Sequence, residues 1–318
     1  MTNSLVTVFG GSGFIGRYAV RALARAGYRV RVGVRYPNLG YFLPPLGNVG
    51  QIQVVKADIR DAAAVAALVS GAGAVVNLVG ILRQSGGQRF SSLHSDAAGA
   101  IAEAASKAGA SALVHVSALG ASPTSQSVYA RTKAEGEARI LAAFPNATIL
   151  RPSLVYGPED NFFNRFAEMA RVSPFLPLIG GGTTKFQPVY VADVGAAIAA
   201  AVSNPAIAGG HVYELGGPAV YSFKELMEII LRVTCRKRPL VPVPFALAAV
   251  GAAIANLWPW PPITPDQVRL LKSDSVVGPT ALGFKELGIE PDCLEAILPS
   301  YLWRFRPQGQ FQAAPDKA

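Results

Sequence analysis

An apolar, strand-like run that breaks into three glycines at three-residue spacing constrains this chain more than any other feature. Ser4-Leu5-Val6-Thr7-Val8-Phe9 leads directly into Gly10-Gly11-Ser12-Gly13-Phe14-Ile15-Gly16, and the residues near 14–26 read as an amphipathic helix. A strand, a tight glycine turn and a helix in that order open a βαβ unit. Such a turn aims backbone N–H groups at the helix N-terminus and keeps side chains out of the way, which seats the linked phosphates of a dinucleotide. On this reading Gly10 permits the tight turn, Gly13 the close approach, and Gly16 the packing of helix on sheet, with Ser12, Phe14 and Ile15 beside the ligand. The alternative, a glycine-rich turn that binds nothing, does not explain why the motif falls between an N-terminal strand and its helix.

Beyond the turn, short β-rich runs alternate with alanine-rich stretches, the mark of a parallel sheet flanked by helices. Strands are predicted near 4–9, 29–34, 52–56, 74–79, 112–117 and 147–151. Helices are predicted near 14–26, 61–70, 91–108 and 127–143. The runs at 75–79 and 112–116 are almost continuously apolar, as strands covered on both faces should be. The fold class that follows is α/β: a Rossmann-type, doubly wound parallel sheet with a smaller, interleaved C-terminal region. Residues 1–151 form the nucleotide-binding domain, and 186–215 return to it through a helix near 191–203 and a strand near 211–215. The segments 152–185 and 216–306, where prolines and glycines cluster, form the smaller region. The tail 307–318 reads as frayed.

The end of the second strand selects the cofactor. A site for NAD usually carries Asp or Glu there, accepting from the ribose 2′-OH. Here Val30-Arg31-Val32-Gly33-Val34 ends in Arg35, whose guanidinium suits a 2′-phosphate. Arg17, directly after Gly16, adds charge, so the expected cofactor is NADPH. A solvated strand-end arginine is the plainer reading of Arg35. After the third strand, Asp58 lies where an adenine edge would be met and Ile59 where the ring would pack. Turn formation explains Asp58 nearly as well.

The chain has 318 residues, of which 51% are hydrophobic and 15% charged, with a net charge of +9. The basic residues are scattered and no stripe interleaves them with stacking aromatics, so nucleic acid is not the expected partner. An anionic cofactor, an acidic protein or an anionic membrane surface accounts for the balance better. Cys235 and Cys293 lie far apart, as do His94, His115 and His211, so no metal site is expected. His115, mid-strand, reads as core; His94 precedes a helix lining the cofactor cleft. The N-terminus enters a strand at once and no apolar run reaches membrane-spanning length, from which a cytoplasmic protein is expected.

The order of motifs resembles the extended short-chain dehydrogenase/reductase superfamily. The matching features are the glycine turn, Asp58 in Lys-Ala-Asp-Ile-Arg-Asp, Asn77-Leu78-Val79-Gly80, Tyr129-Ala-Arg-Thr-Lys133, Arg151-Pro152-Ser153 and Pro188-Val189-Tyr190-Val191-Ala192-Asp193. His115-Val-Ser-Ala-Leu-Gly-Ala, Ala143-Phe-Pro-Asn and Leu270-Leu-Lys-Ser-Asp are similar to an atypical branch. That branch contains the NADPH-binding accessory subunit of respiratory complex I, the NADH:ubiquinone oxidoreductase of electron transport, and its bacterial relatives. The resemblance implies that Asn77, Val79, Gly80, Ser117, Tyr129, Lys133 and Pro152 join the glycine turn around the cofactor. It also implies catalytic roles for Tyr129 as general acid/base, Lys133 as the group that lowers its pKa and holds the ribose, and Ser117 as a hydroxyl donor. The superfamily offers two adjacent hydroxyl residues after the fifth strand, with the second at the chemistry. Here Ser117 is followed by Ala118, and the loop to Tyr129 is short and carries Pro123. Both departures weigh against turnover and leave binding intact. An exposed helix pair is the plainer reading of Tyr129 and Lys133.

Residues 239–263 are nearly all apolar. A helical part of about 245–258 is too short to span a bilayer. Trp258 and Trp260 follow it, and Arg232, Arg236, Lys237 and Arg238 precede it, which suits a membrane interface or a protein partner. A buried helix of the smaller region is the alternative. Two functions therefore stand. One is a structural or assembly subunit of complex I, peripheral on the cytoplasmic face of the inner membrane and bound to complex I subunits. The other is an active NADP-dependent reductase, dehydrogenase or epimerase acting on a sugar-nucleotide, steroid-like or quinone-like carbonyl.

Overall fold

Alternation of β-branched runs with alanine-rich helices builds a seven-stranded, all-parallel sheet. In the computed structural model, which describes residues 4–255 and 263–312, the strands are β1 (Leu5–Phe9), β2 (Arg29–Val34), β3 (Ile52–Lys56), β4 (Ala74–Asn77), β5 (Ala112–Val116) and β6 (Thr148–Pro152), with Val212–Leu215 at one edge. Their spatial order is Val212–Leu215, β6, β5, β4, β1, β2, β3. Chain order therefore reverses between β1 and β4, and a doubly wound sheet opens its ligand crevice at the carboxyl ends of the strands flanking such a reversal. Gly10 stands at that end of β1.

Helix α1 (Phe14–Arg25) packs with the helix Val191–Ser203 on one face of the sheet. On the other lie α2 (Ala62–Val69), α3 (Ala97–Lys107) and α4 (Val128–Ala143), closing over Phe9, Val75, Leu113 and Ile149. Every position of β4 and β5 is buried, as expected for strands with helices on both sides. Each such Val or Leu contributes about 1.5–3 kcal/mol of burial. Gly195 brings the first pair of helices together, since a Cβ there would lie 2.9 Å from the Tyr18 backbone.

One predicted helix differs. The stretch near 91–108 opens with a π-helical turn, Ser91–Asp96, before α3 begins at Ala97. Inside the widened turn, His94 is fully buried. Its Nε2 accepts from the Ile81 N–H at 3.0 Å, and its Nδ1 lies 3.2 Å from the Thr132 hydroxyl. A regular helical period gives no hint of this; single π turns mark functional places in helices.

The chain divides into two compact units. The first runs to Pro152 and takes in Val191–Leu215 and Gly278–Glu290; the second comprises Ser153–Tyr190, Gly216–Val277 and the chain from Pro291. The second segment of the first unit thus starts at Val191 rather than 186. Lys185–Phe186 and Val189–Tyr190 pair with Tyr221–Ser222 and Val155–Tyr156, all within the second unit. Residues 278–290, expected in the C-terminal region, belong to the first unit. There the Glu214 N–H donates to the Leu282 carbonyl and the Gly278 N–H to the Glu214 carboxylate, both at 2.8 Å.

The second unit has its own core of Tyr156, Phe163, Phe186, Phe223 and surrounding aliphatics. Its buried Asp160 accepts from Tyr301 Oη at 2.7 Å and from the N–H groups of Gly157, Phe162 and Asn164, which fixes the loop in front of the helix Phe163–Val172. The tail is not frayed over 307–312. Gly309–Phe311 makes a 3-10 turn, and Arg306 Nη1 donates to the Gln312 carbonyl at 2.9 Å. Residues 313–318 lie outside the described residues.

Candidate functional site

The glycine turn is a cradle of bare backbone. Gly10 has φ +77°, which L side chains rarely adopt, and a Cβ there would sit 3.1 Å from the Leu78 backbone. Gly13 is the extended N-cap of α1, its N–H donating to the Gly10 carbonyl at 3.0 Å, and no side chain caps the helix. A Cβ on Gly13 would meet nothing but the Gly10 carbonyl oxygen, at 3.2 Å, so the outer side of the turn is open. Gly16 acts differently from expectation. Its Cβ would fall 2.2 Å from the Gly10 carbonyl oxygen and 2.6 Å from the Gly11 backbone, so it seats the helix on the turn itself, not on the sheet. Gly11, to which the sequence assigns no role, is the residue pressed on the sheet: a Cβ would lie 2.5 Å from Val32 Cγ1. Ser12, Phe14 and Ile15 are half-buried around this opening. The cradle fits the pyrophosphate of a dinucleotide, because a helix N-terminus with open N–H groups favours anions.

From the turn the site extends across the carboxyl ends of β2 and β3. Arg35 is exposed beyond β2, its guanidinium 5.9 Å from the Tyr36 ring centroid. Arg17, in the first turn of α1, holds its guanidinium 4.7 Å over the Phe42 ring, a contact that orients it and that the sequence did not disclose. Asp58, past β3, is clasped by Arg60, two residues on. Nε lies 3.0 and 3.2 Å from the two carboxylate oxygens and Nη2 2.6 Å from Oδ2, while the Arg60 N–H donates to Oδ1 at 3.0 Å. These bonds, with Arg35 nearby, lower the Asp58 carboxyl to about 2. Ile59, next to it, is buried in the core cluster with Val65 and Leu68.

Along the crevice on the other side, Asn77 ends β4 with its Oδ1 accepting from the Val79 N–H at 3.1 Å. Leu78 and Val79 run past Gly10, and Gly80 faces Lys133, whose Nζ would lie 3.2 Å from a Cβ there. Lys133 is buried and donates from Nζ to the Val116 carbonyl at 3.0 Å. Burial lowers its pKa to about 8, against the opposing pull of Glu137. Pro152, last in β6, is buried and its carbonyl accepts from Leu119 N–H at 2.9 Å.

The catalytic expectation meets two obstacles. Tyr129 packs edge-on against Phe90 and His94, and burial pushes its phenol up to about 12, where the resemblance implies a lowered value. Lys133 places one of its three Nζ donors on the Val116 carbonyl. Ser117 is buried, and its Oγ has no hydrogen-bond partner among the described residues. His115, two residues earlier and within β5, has a buried ring, held neutral by burial and by the Lys133 charge, and set against Asn77 in the neighbouring strand. His94, for its part, is kept neutral, its pKa lowered to about 3 by burial and by Lys133. Bonded from Ile81 and facing Thr132, it ties the loop after β4 to the helix that carries Tyr129 and Lys133.

Comparison with known proteins accords with this geometry. Residues 6–216 match the model of the NAD dependent epimerase/dehydratase family. The chain is 38% identical over 316 residues to the mitochondrial NADH dehydrogenase (ubiquinone) 1 alpha subcomplex subunit 9 of Arabidopsis thaliana, covering 96% of this chain and 79% of that protein. It is 32% identical over 311 residues to the mitochondrial NADH-ubiquinone oxidoreductase 40 kDa subunit of Neurospora crassa, covering 97% and 81%. Among solved structures, an NADPH-dependent quinone oxidoreductase of Escherichia coli, complexed with NADPH, superposes with a TM-score of 0.74 at 22% identity over 94% of this chain and 99% of that one. At that identity the likeness establishes the fold.

Proposed function

The chain belongs to the NAD dependent epimerase/dehydratase family, and from that premise we propose that it holds NADPH and serves as a structural or assembly subunit of respiratory complex I with little or no turnover. One observation supports the reading: the glycine turn is an open cradle of bare backbone, while Ala118 stands where the superfamily's second hydroxyl would. Backbone from Gly10 to Gly16 would take the pyrophosphate, Arg35 and Arg17 the 2′-phosphate, and Tyr129 and Lys133 the nicotinamide ribose. Bound NADPH supplies a hydride donor. Against it stand Ala118 in place of a hydroxyl and a Tyr129 phenol that burial holds protonated. The complex I role draws on relatives that are subunits of that enzyme and that this chain matches along nearly its full length.

Attachment fits the second unit. The helix Phe245–Ala255 buries only Ala252 and exposes Leu247, Val250 and Ile254, so the alternative of a buried helix fails. The expected extension of the helix to 258, and Trp258 and Trp260, lie outside the described residues. Arg236 and Arg238 precede the helix, their Nε atoms bonded to the Phe305 and Ala170 carbonyls at 2.8 and 3.0 Å. No helix among the described residues is long and apolar enough to cross a membrane. An apolar helix beside cations suits peripheral contact with complex I subunits at an anionic membrane surface on the cytoplasmic face.

Purification from native membranes in mild detergent, with mass spectrometry of the released nucleotide and of co-purifying proteins, tests both parts. NADPH and complex I subunits are expected. Recovery as a free, nucleotide-less protein, or NADPH oxidation by a carbonyl substrate that Tyr129→Phe abolishes, would overturn the reading, the latter in favour of a working reductase.

A further inference from the structure

The crossover from β2 to β3 leaves most of its large apolar side chains in solvent. A parallel crossover usually carries an α-helix, which buries one stripe on the sheet. Here the residues between the strands form only two short 3-10 turns, Pro37–Gly40 and Pro44–Leu46, each opened by proline. Leu43 anchors them, fully buried, and Gly40 closes on β3, where a Cβ would stand 3.0 Å from Val54 Cγ1. Around that anchor Tyr36 and Leu39 are each 61% exposed, Tyr41 68% and Phe42 40%, and Val49 is fully exposed.

This loop runs beside α1. Arg17 stands over Phe42 near the start of the helix, and Gln51 Nε2 donates to the Ala24 and Tyr28 carbonyls, at 2.7 and 2.9 Å, near its end. Arg17, Arg21 and Arg25, four residues apart, share a face of α1. Arg29 opens β2 next to Val30, whose N–H donates to the Gln51 carbonyl at 2.8 Å. Arg21, Arg25 and Arg29 are exposed, and none of the ion pairs among the described residues takes them up. Residues 1–57 hold seven of the chain's 29 basic residues and none of its 20 acidic ones, so they carry +7 of the net charge of +9. The helix packed beside α1, Val191–Ser203, brings one acid, Asp193, and it is buried. Dispersed along the sequence, these arginines are gathered by the fold beside the projecting apolar side chains.

We propose that the β2–β3 loop and the exposed face of α1 dock on an anionic lipid bilayer. Tyrosines and aliphatic side chains flanked by arginine are what the boundary between headgroups and acyl chains takes up. A nucleic acid would stack on the rings and make no use of Leu39 and Val49. Side chains as far out as Tyr41 and Val49 need a medium that closes around each of them, which acyl chains do and a folded partner does only with matching pockets. The surface belongs to the first unit and rests neither on the cofactor nor on the helix Phe245–Ala255.

Sedimentation of the full chain with vesicles of phosphatidylcholine, alone or with about one third phosphatidylglycerol, tests this. Binding is expected to the anionic vesicles, falling as salt rises, and little to the neutral ones. Arg21→Gln, Arg25→Gln and Arg29→Gln together should weaken it on the order of 100-fold, since each basic residue near such a surface is worth about fivefold. Leu39→Ser with Tyr41→Ser should weaken it about tenfold or more. All five positions are exposed, so both variants should melt with the parent. Undiminished binding by the arginine variant overturns the proposal and leaves lipid contact to Phe245–Ala255. Undiminished binding by the Leu39 and Tyr41 variant overturns it in favour of a purely electrostatic surface, open to an acidic protein or a nucleic acid. A parent chain that binds neither vesicle overturns it too, while NADPH binding and recovery with complex I subunits are read separately.

Discussion

Replacing Gly13 by Ala should separate binding from folding at the glycine turn. Gly13 has φ −74° and ψ −179°, which alanine adopts without strain, and its new Cβ would need only a few tenths of an ångström of relief from the Gly10 carbonyl oxygen at 3.2 Å. Replacing a glycine N-cap by alanine costs about 0.5–1 kcal/mol, and the stiffer unfolded chain returns about 0.4–1 kcal/mol, so the two nearly cancel. The melting temperature should therefore move by no more than about 3 °C. The methyl group, however, stands on the open side of the turn, where phosphate oxygens would approach the N–H groups. Losing one charge-assisted hydrogen bond there costs about 1.5–3 kcal/mol, or roughly 10- to 150-fold in affinity for NADPH. Gly16→Ala is the control in the opposite sense. Its Cβ would lie 2.2 Å from the Gly10 carbonyl oxygen, so the turn must move and the fold should lose about 3 kcal/mol or more. Titration calorimetry and thermal melts on both variants decide the matter. A Gly13→Ala protein that binds NADPH normally, or that melts as early as Gly16→Ala, would refute the assignment of the turn as the phosphate seat.

Three further outcomes follow from the same geometry. Arg35→Ala should weaken NADPH about tenfold or more while leaving NADH nearly unchanged, because only the phosphorylated ribose needs a guanidinium; equal losses by calorimetry would restore the plain surface reading of Arg35. Lys133 has its pKa lowered from 10.5 to about 8, so the unfolded chain binds more protons between those values and this group's contribution to stability rises with pH across that window. Lys133→Met should accordingly melt higher than the parent near pH 7 and lose that advantage by pH 10.5, a difference on the order of 3 kcal/mol; an equal gain at both pH values would contradict the buried charge. His94, lowered from 6.5 to about 3, stays neutral in the fold while the unfolded chain takes up a proton, so its contribution is full above pH 6.5 and drains away as pH falls toward 3. His94→Gln should flatten the acid limb of stability in denaturant titrations at pH 7, 5 and 4.

The parts of this molecule that backbone geometry dictates were legible from the sequence; the parts that depend on which side chain meets which were not. The succession of strands and helices along the chain, the returning strand at Val212–Leu215 and the first helix lie where hydrophobic period and glycine placement put them. A Cβ excluded at 2.2 Å leaves no choice but glycine at Gly16, although which surface it presses on is visible only in three dimensions, as is the part of Gly11, excluded at 2.5 Å by Val32. A residue just past a strand can face either way, and here Asp58 turns out to Arg60 while Ile59 turns toward the core, a division the sequence does not announce. The π turn at Ser91–Asp96 was missed for a related reason. Its apolar pattern is helical on either side, and only the inward bonds of His94 reveal the extra residue per turn. Arg60 escaped notice because Asp58 had an explanation without it.

A cofactor that is held and not consumed still contributes to the protein, through stability instead of chemistry. A ligand that binds the folded chain alone and stands at about 100 times its dissociation constant adds about 2.7 kcal/mol. For a domain of ordinary marginal stability that is a large share of the whole. A glycine turn and Arg35 that would hold a dinucleotide, beside a catalytic set whose second hydroxyl is Ala118, are then what a structural role requires. Damage to the turn should lower the abundance of the protein in membranes before it alters any reaction. Damage to Tyr129 should do neither, provided its ring keeps its place between Phe90 and His94, as it would in Tyr129→Phe. A Tyr129→Phe strain with normal amounts of assembled complex, set against a Gly13→Ala strain with depleted amounts, is the pattern this logic demands. The reverse pattern would mean that the phenol, not the phosphate seat, is what the chain has been kept for.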